Sequence, residues 1–189
     1  MSVRHVGTKT IETERLILRR FVLEDAQAMF TNWASDADVC KYLSWEPYED
    51  VDSLRKMLQV FIDAYEHDDN YHWVIELKEI GEPIGSISAI QIHDAHLRCE
   101  LGYCMGKPFW SKGYMTEAAE AVIRFFFEEV GLNRIQAHHD VQNVGSGKVM
   151  QKAGMTLEGT LRQRYLRRDG AFGDGRIYAI VREDYETIE

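Results

Sequence analysis

The stretch Trp110-Ser111-Lys112-Gly113-Tyr114-Met115-Thr116-Glu117 follows a strand pattern and opens the most regular helix pattern in the chain. Upstream, residues 99–105 alternate apolar and polar side chains, as a half-buried strand would. Downstream, Ala118 and Val122 recur at helical spacing. A strand, a glycine turn and a helix in this order leave unpaired backbone N–H groups at the positive end of the helix dipole, with Lys112 beside them. The sequence therefore predicts a phosphate site at this turn, although a plain strand-to-helix turn has the same pattern.

Length, composition and charge limit the class of protein. The 189 residues, 45% of them hydrophobic, suit one globular domain with a sizeable core, and a second domain of ordinary size would not fit comfortably in this length. We therefore expect one domain over residues 1–189, with its core at about residues 10–185. The net charge of −9, from 22 Lys and Arg against 31 Asp and Glu, argues against direct nucleic-acid binding and suits a cationic substrate.

Cysteine usage and the first residues of the chain indicate a compartment. Cys40, Cys99 and Cys104 include no CxxC pair, which favours reduced thiols in a cytoplasmic protein. Residues 1–14 are polar and carry no apolar run. We expect neither a signal peptide nor a membrane span here or later in the chain.

Hydrophobic periodicity predicts strands and helices along the whole chain. The predicted elements are a strand at Leu16–Arg19, a helix from Glu24 through Trp33, a helix at 51–66 capped by Asp50, hairpin strands at 71–77 and 84–92, a strand at 97–105, a helix from the central turn to about 131, a strand at 134–141, a short helix capped by Asn143, and strands at 155–164 and 177–181. The three strands before the central turn are expected to be antiparallel neighbours. The strand, helix and strand around the turn favour a right-handed parallel crossover.

Several motifs in this order resemble one known family. F-W-S-K-G-Y-M-T-E-A at 109–118, N-V-G-S at 143–146 and K-A-G-M at 152–155 are similar to motifs of the GCN5-related N-acetyltransferases. T-E-R-L-I-L-R at 13–19 and the segment 174–180 resemble the branch that acetylates ribosomal-protein N-termini (RimJ/RimL-like). The resemblance implies an α+β fold. In it, a central, mostly antiparallel mixed sheet has a parallel join splayed to hold acetyl-CoA, and helices lie on both faces.

The resemblance also implies where acetyl-CoA lies, with its pyrophosphate on the turn, its pantetheine along the preceding strand and one asparagine on the arm. The residues expected to bind it are Tyr103, Cys104, Met105, Ser111, Lys112, Gly113, Tyr114, Met115, Thr116 and Asn143. The chain departs from the family at Ser111 and Met115, where small residues are usual. A long side chain at Met115 would crowd the phosphates unless it points into the core.

The chemistry needs a base for the amine and a proton donor for the departing thiolate. Much of the family uses a Tyr near the start of the last helix, but residues 143–153 contain none. Ser146 occupies the place of the serine given that role in the RimL-like branch, although it can equally be an ordinary residue of the first helical turn. Glu100, on the strand before the turn, is the first candidate for the base, acting through water. His138 is the alternative base.

Two further clusters carry charged or metal-ligating side chains. His138, His139 and Asp140 are adjacent on a strand, where neighbouring side chains point to opposite faces, so we expect no metal site. The arginines at 162, 164, 167 and 168 are either a solvated turn, a site for the adenosine 3′-phosphate or a site for an acidic protein.

The sequence thus predicts an acetyl-CoA-dependent N-acetyltransferase that acts on a primary amine. A protein N-terminus is the favoured acceptor, and a polyamine or another small amine is the alternative. A non-catalytic acyl-CoA-binding module is the second functional class. No metal, nucleic-acid or membrane partner is expected, and a homodimer is left open.

Overall fold

The computed structural model describes residues 2–188. The strands are β1 Ile11–Glu12, β2 Leu16–Arg19, β3 His72–Leu77, β4 Glu82–His93, β5 Arg98–Met105, β6 Arg134–Asp140, β7 Thr156–Leu166 and β8 Phe172–Val181. The α-helices are α1 Asp25–Met29, α2 Ala37–Cys40, α3 Val51–Asp63, α4 Tyr114–Phe125, α5 Val144–Lys152 and α6 Arg182–Ile188. Helices α1 and α4 each continue into a π-helical turn, Phe30–Ala34 and Phe126–Val130. The short elements β1, α2 and α6 lie outside the sequence predictions.

The strands form one mixed sheet in the order β1-β2-β3-β4-β5-β6-β8-β7. Strand β5 runs parallel to β6, as predicted, while β6 with β8 and β8 with β7 are antiparallel. The parallel ladder begins at Arg98 with Arg134, and its last pair is Leu101 with Ala137. Both strands continue beyond that pair, so the ladder is short compared with the strands it joins. This mixed, mainly antiparallel sheet with surrounding helices is the predicted fold class.

The chain divides into two compact units. The N-terminal unit comprises His5–Ala89 and Gly102–Tyr114, and the C-terminal unit comprises residues 2–4, Ile90–Leu101 and 115–188. Because β4 and β5 each contribute to both units, the units do not follow one another along the chain. That the chain is a single domain stays a prediction.

The N-terminal unit is built around the apolar faces of its helices. Trp33, Leu54 and Leu58 are fully buried in one cluster. Helix α3 begins as predicted, since the Asp50 carboxylate accepts a hydrogen bond from the Ser53 backbone N–H at 2.7 Å.

The C-terminal unit contains the helix that the central turn opens. Ala118 and Val122 of α4 are fully buried, whereas Glu120 and Arg124 on its other face are exposed. The helical run ends at Gly131, whose positive φ of 82° suits glycine at a helix C-terminus. No helix within residues 2–188 is long and apolar enough to cross a membrane.

The predicted half-buried pattern of β5 is wrong. Cys99, Glu100 and Leu101 are consecutive residues, and none is more than 6% exposed. The strand lies inside the sheet between β4 and β6, where neighbouring residues on opposite faces can both be buried, and Glu100 is buried with Cys99 and Leu101. A carboxylate at Glu100 is therefore removed from water.

The last hairpin is longer than predicted. Strand β8 begins at Phe172, within a segment expected to be a loop. Its glycines allow close pairing with β7, because a Cβ at Gly175 would lie 2.9 Å from the ring of Tyr165. Local composition indicates a turn here, but the pairing partner converts the segment into a strand.

Candidate active site

The turn before α4 has two residues with left-handed backbone conformations, Ser111 with φ of 61° and Gly113 with φ of 84°. Such turns bring successive backbone N–H groups to one concave side, and the first helical turn adds further unpaired N–H groups. A Cβ placed at Gly113 would meet only the guanidinium of Arg15, so the surface of the turn is open. The backbone from Ser111 to Thr116 is therefore suited to a phosphate.

Arg15 is a second cation at this turn, and sequence reasoning missed it. Its Nη1 donates a hydrogen bond to the Lys112 carbonyl at 3.0 Å, and its guanidinium carbon lies 4.6 Å from the centroid of the Tyr114 ring. Arg15 belongs to the 13–19 motif, yet nothing local in the sequence connects it to a turn 97 residues away. The turn thus carries Arg15 as well as Lys112.

Met115 does not crowd the turn. Its side chain is buried at 6% exposure, as are its helix neighbours Ala118 and Ala119. The long thioether therefore contributes to the core, which is the one arrangement in which this departure from the family pattern is harmless. Thr116 is half-buried in the first turn of the helix.

The strand segment expected to hold pantetheine is partly committed to other partners. The Met105 carbonyl accepts a hydrogen bond from the Trp110 indole at 2.6 Å. The Cys104 thiol lies 3.4 Å from the Ser86 hydroxyl, and burial raises the pKa of that thiol. The carbonyl of Met105 is thus occupied by the Trp110 indole.

Helix α5 begins as predicted. The Asn143 side-chain oxygen accepts a hydrogen bond from the Ser146 backbone N–H at 3.3 Å. That bond satisfies one of the open donors of the helix and leaves the Asn143 amide N–H groups to donate elsewhere. Ser146 is half-buried at the third helical position. The structure thus brings these two predicted site residues together through the helix cap.

The helix rests on a buried histidine. A Cβ placed at Gly147 would lie 2.6 Å from Nε2 of His139, so only glycine permits this approach. His139 is 5% exposed, and Nε2 has no hydrogen-bond partner within the described part of the chain. Burial lowers the pKa of His139. The neutral ring therefore supports the helix that carries Ser146.

Glu100 and His138, the two candidate bases, are in direct contact. His138 Nδ1 lies 2.9 Å from Glu100 Oε1, and Gln136 Nε2 donates to Glu100 Oε2 at 2.9 Å. The side chains of Glu100 and His138 are 8% and 18% exposed. His138 thus faces Glu100 while His139 faces Gly147, as expected for adjacent strand residues. Sequence reasoning found both candidates as alternatives but not their pairing.

The arginine cluster is divided among different partners. Arg167 makes two hydrogen bonds to the buried Asp140 carboxylate, at 2.7 and 2.8 Å, and they lower the pKa of that carboxyl. Arg164 lies against His138 and Tyr165. Arg162 lines a pocket of about 460 Å³ with two other residues, Gln163 and Asp174. Arg162, Arg164 and Arg167 therefore have different surroundings.

Comparisons with known proteins agree with this geometry. A family model described as an acetyltransferase (GNAT) domain matches residues 15–156. The protein named uncharacterized N-acetyltransferase p20, from Bacillus licheniformis, is 33% identical over 177 residues, which cover 94% of this chain and 98% of that protein. The ribosomal protein uS5 alanine N-acetyltransferase of Escherichia coli is 25% identical over 181 residues, which cover 93% and 92%.

A solved structure shares the fold. RimL, described as a ribosomal L7/L12 alpha-N-protein acetyltransferase in complex with coenzyme A, superposes with a TM-score of 0.81 at 21% identity, covering 92% of this chain and 98% of RimL. The ribosomal-protein enzymes are thus distant relatives. The family model and the relatives together show that the chain belongs to the GCN5-related N-acetyltransferase (GNAT) family and is an acetyl-CoA-dependent N-acetyltransferase.

Proposed function

We propose that the chain acetylates the α-amine at the N-terminus of a protein, with acetyl-CoA bound through the turn before α4. The observation that carries the acetyl-CoA site is the turn itself, with left-handed Ser111 and Gly113, an open surface and the guanidinium of Arg15 beside it. Backbone N–H groups at a helix N-terminus bind phosphate through fixed dipoles, so this binding does not depend on the protonation state of a side chain. Two cations, Lys112 and Arg15, add charge for the pyrophosphate.

Different residues of this chain would bind different parts of acetyl-CoA. The N–H groups of Ser111 to Thr116 would hold the pyrophosphate, and the backbone of Tyr103 and Cys104 would bind the pantetheine amides. The Asn143 oxygen caps α5, which leaves its amide N–H groups able to donate to an acceptor. Acetyl-CoA supplies the acetyl group as a thioester.

The transfer itself is a displacement without a covalent enzyme intermediate. The protonated amine loses one proton to a base, its nitrogen forms the bond to the acetyl carbon, and the carbon–sulfur bond breaks. The second proton of that nitrogen goes to the departing thiolate, and the first is released to solvent. Ser146 is proposed to hydrogen-bond the sulfur as it becomes charged, since no Tyr lies within residues 143–153.

A protein N-terminus is the favoured acceptor for two reasons. The relative that acetylates an alanine of ribosomal protein uS5 matches 93% of this chain. The net charge of −9 also favours an acceptor that arrives as a cation. A polyamine shares that second property, so the acceptor has to be settled by turnover.

The test measures release of free CoA thiol from acetyl-CoA with a panel of acceptors. Peptides that begin with Ala or Ser are compared with the same peptides already acetylated at the N-terminus, and with polyamines and amino sugars. We expect turnover with the free peptides, none with the blocked ones, and a higher melting temperature of the protein in saturating CoA.

Other outcomes would overturn parts of the proposal. Higher kcat/KM for a polyamine than for any free peptide would contradict the acceptor. CoA binding without turnover of any acceptor would favour a non-catalytic binding module. A melting temperature unchanged by CoA would contradict the acetyl-CoA site.

A further inference from the structure

A polar cluster around His138 connects three neighbouring elements of the C-terminal unit. Glu100 comes from β5, Gln136 and His138 come from β6, and Arg164 and Tyr165 come from β7. The ladder between β5 and β6 has its last pair at Leu101 and Ala137, and His138 is the next residue of β6. The imidazole therefore stands where the two parallel strands stop pairing.

Glu100 is a poor base in this cluster. Burial alone raises the pKa of its carboxyl, but the hydrogen bonds from His138 and Gln136 outweigh burial and leave the pKa of Glu100 below its ordinary value. Both of its oxygens have partners at 2.9 Å. A carboxylate that stays ionised and doubly hydrogen-bonded accepts hydrogen bonds more readily than it removes protons.

The same contact fixes the tautomer of His138. An ionised carboxylate can only accept, so Nδ1 of His138 must carry the hydrogen that points at Glu100. In the neutral ring the lone pair is then on Nε2. Glu100 thereby holds the ring in one orientation with its basic nitrogen directed away from the carboxylate.

Arg164 does not occupy that lone pair. Its Nη2 lies 3.5 Å from Nδ1 and 3.3 Å from Nε2 of His138, nearly the same distance from both. Since the two lone-pair directions of an imidazole diverge, this position is over the ring face. The Tyr165 ring is stacked with the imidazole at 5.8 Å and 28°. The face of His138 is covered, while the edge that bears Nε2 has no hydrogen bond directed along it from Arg164.

We propose that His138 is the general base of the acetyl transfer and that Glu100 is the positioning residue that holds it. The assignment rests on the proposed function, because it names the group that receives the first proton of the amine. His138 Nε2 takes one proton from the ammonium, directly or through one water, and later releases it to solvent. Glu100 remains ionised throughout and stabilises the imidazolium.

The charges around the ring give the proposal a directional test. Glu100 favours the imidazolium and Arg164 disfavours it, while Tyr165, stacked on the ring, and Asp140, two residues along β6, also carry titratable groups. The acidic limb of the pH profile of kcat/KM for the amine reports the charge on the general base. Glu100→Gln should move this acidic limb to lower pH, and Arg164→Gln should move it to higher pH.

The experiment records pH profiles of kcat/KM for wild type and variants. His138→Ala should lower kcat/KM about a hundredfold or more at neutral pH, and added imidazole should restore part of it. Glu100→Gln should lower the plateau at least about tenfold, because the carboxylate no longer stabilises the imidazolium. Arg162→Gln is the matched control for Arg164→Gln, since it removes an equal charge two residues away. Melting temperature and CoA affinity are measured for each variant.

The outcomes separate this inference from the proposed function. If wild type acetylates no amine, the proposed function fails and this assignment fails with it. If wild type is active and His138→Ala keeps full kcat/KM, or imidazole restores nothing to a folded variant, the base is not His138. If His138→Ala does not fold, the two neighbouring variants decide. Acidic limbs that shift to lower pH in Glu100→Gln and to higher pH in Arg164→Gln support the proposal. Acidic limbs of both variants that coincide with that of the Arg162→Gln control overturn it.

Discussion

Gly113 tests the phosphate site at a single position. Aspartate there adds a side chain and a negative charge beside the proposed pyrophosphate, whereas asparagine adds nearly the same side chain without the charge and also tolerates a positive φ. We expect Gly113→Asn to weaken CoA binding slightly and Gly113→Asp to weaken it about tenfold more, the equivalent of roughly 1.4 kcal/mol. Titration calorimetry with CoA measures both. Equal affinities for the two variants would move the phosphate away from this turn.

Ser146 tests the proton donor to sulfur. The helix cap uses the Ser146 backbone N–H, so Ser146→Ala leaves that bond to Asn143 in place. If the hydroxyl contacts the sulfur only as the thioester breaks, kcat should fall roughly ten- to a thousandfold with little change in the KM for acetyl-CoA. Steady-state kinetics of Ser146→Ala and wild type measure kcat and KM, and a melting curve shows whether the variant is folded. Full kcat in a folded variant would leave solvent as the donor.

Helix α5 is positioned by glycine rather than by a side chain. Gly147→Ala would place a methyl group 2.6 Å from His139 Nε2, so the helix or the ring would have to move. We expect the free energy of unfolding to fall by about 1–3 kcal/mol.

Gly145→Ala is the matched control within the same helix. Its Cβ would meet nothing closer than the Asn143 oxygen at 3.9 Å, and alanine favours a helix more than glycine does. This variant should be unchanged or more stable by up to about 1 kcal/mol. Urea denaturation of both variants gives the comparison. Equal destabilisation by the two changes would show that helix propensity, and not the contact with His139, requires glycine.

The stability of the whole chain should depend on pH through the partly buried His72. His72 packs edge-on against Phe21 and Phe61, at 4.9 and 4.3 Å between ring centroids, and burial lowers the pKa of His72 to about 4. An unfolded histidine has a pKa of about 6.5, so the unfolded chain binds an extra proton between these two values. Stability is complete above about pH 6.5 and falls as the pH is lowered towards about 4.

The size of this effect can be measured against a matched variant. The loss from His72 is on the order of 3 kcal/mol, because one pKa unit corresponds to about 1.4 kcal/mol. Carboxyl groups with a lowered pKa, such as Asp140, lose their contribution only at still lower pH. Urea denaturation at several pH values from 7 to 4.5 gives the free energy of unfolding as a function of pH. This free energy should depend less steeply on pH in His72→Gln than in wild type, and the exposed His67→Gln should match wild type. A pH dependence in His72→Gln equal to that of wild type would contradict the prediction.

Patterns that are local in sequence were predicted well. The caps at Asp50 and Asn143 and the helix end at Gly131 depend on a few consecutive residues, and the structure confirms them. The same holds for the strand, turn and helix around Gly113, because backbone conformation there is dictated by glycine and by helical spacing. The individual acetyl-CoA-binding residues came from the family resemblance of this stretch, and they stay predictions.

Contacts between distant segments could not be predicted in this way. The amino-acid order alone specified the helix caps, the central turn and the parallel crossover, since each of these follows from neighbouring residues and chain direction. Folding in three dimensions determined that Glu100 is buried, that it holds His138, and that Arg15 lies at the turn. Burial and hydrogen bonding depend on which strands become neighbours, and a periodic pattern along one strand carries no information about the side chains of the next.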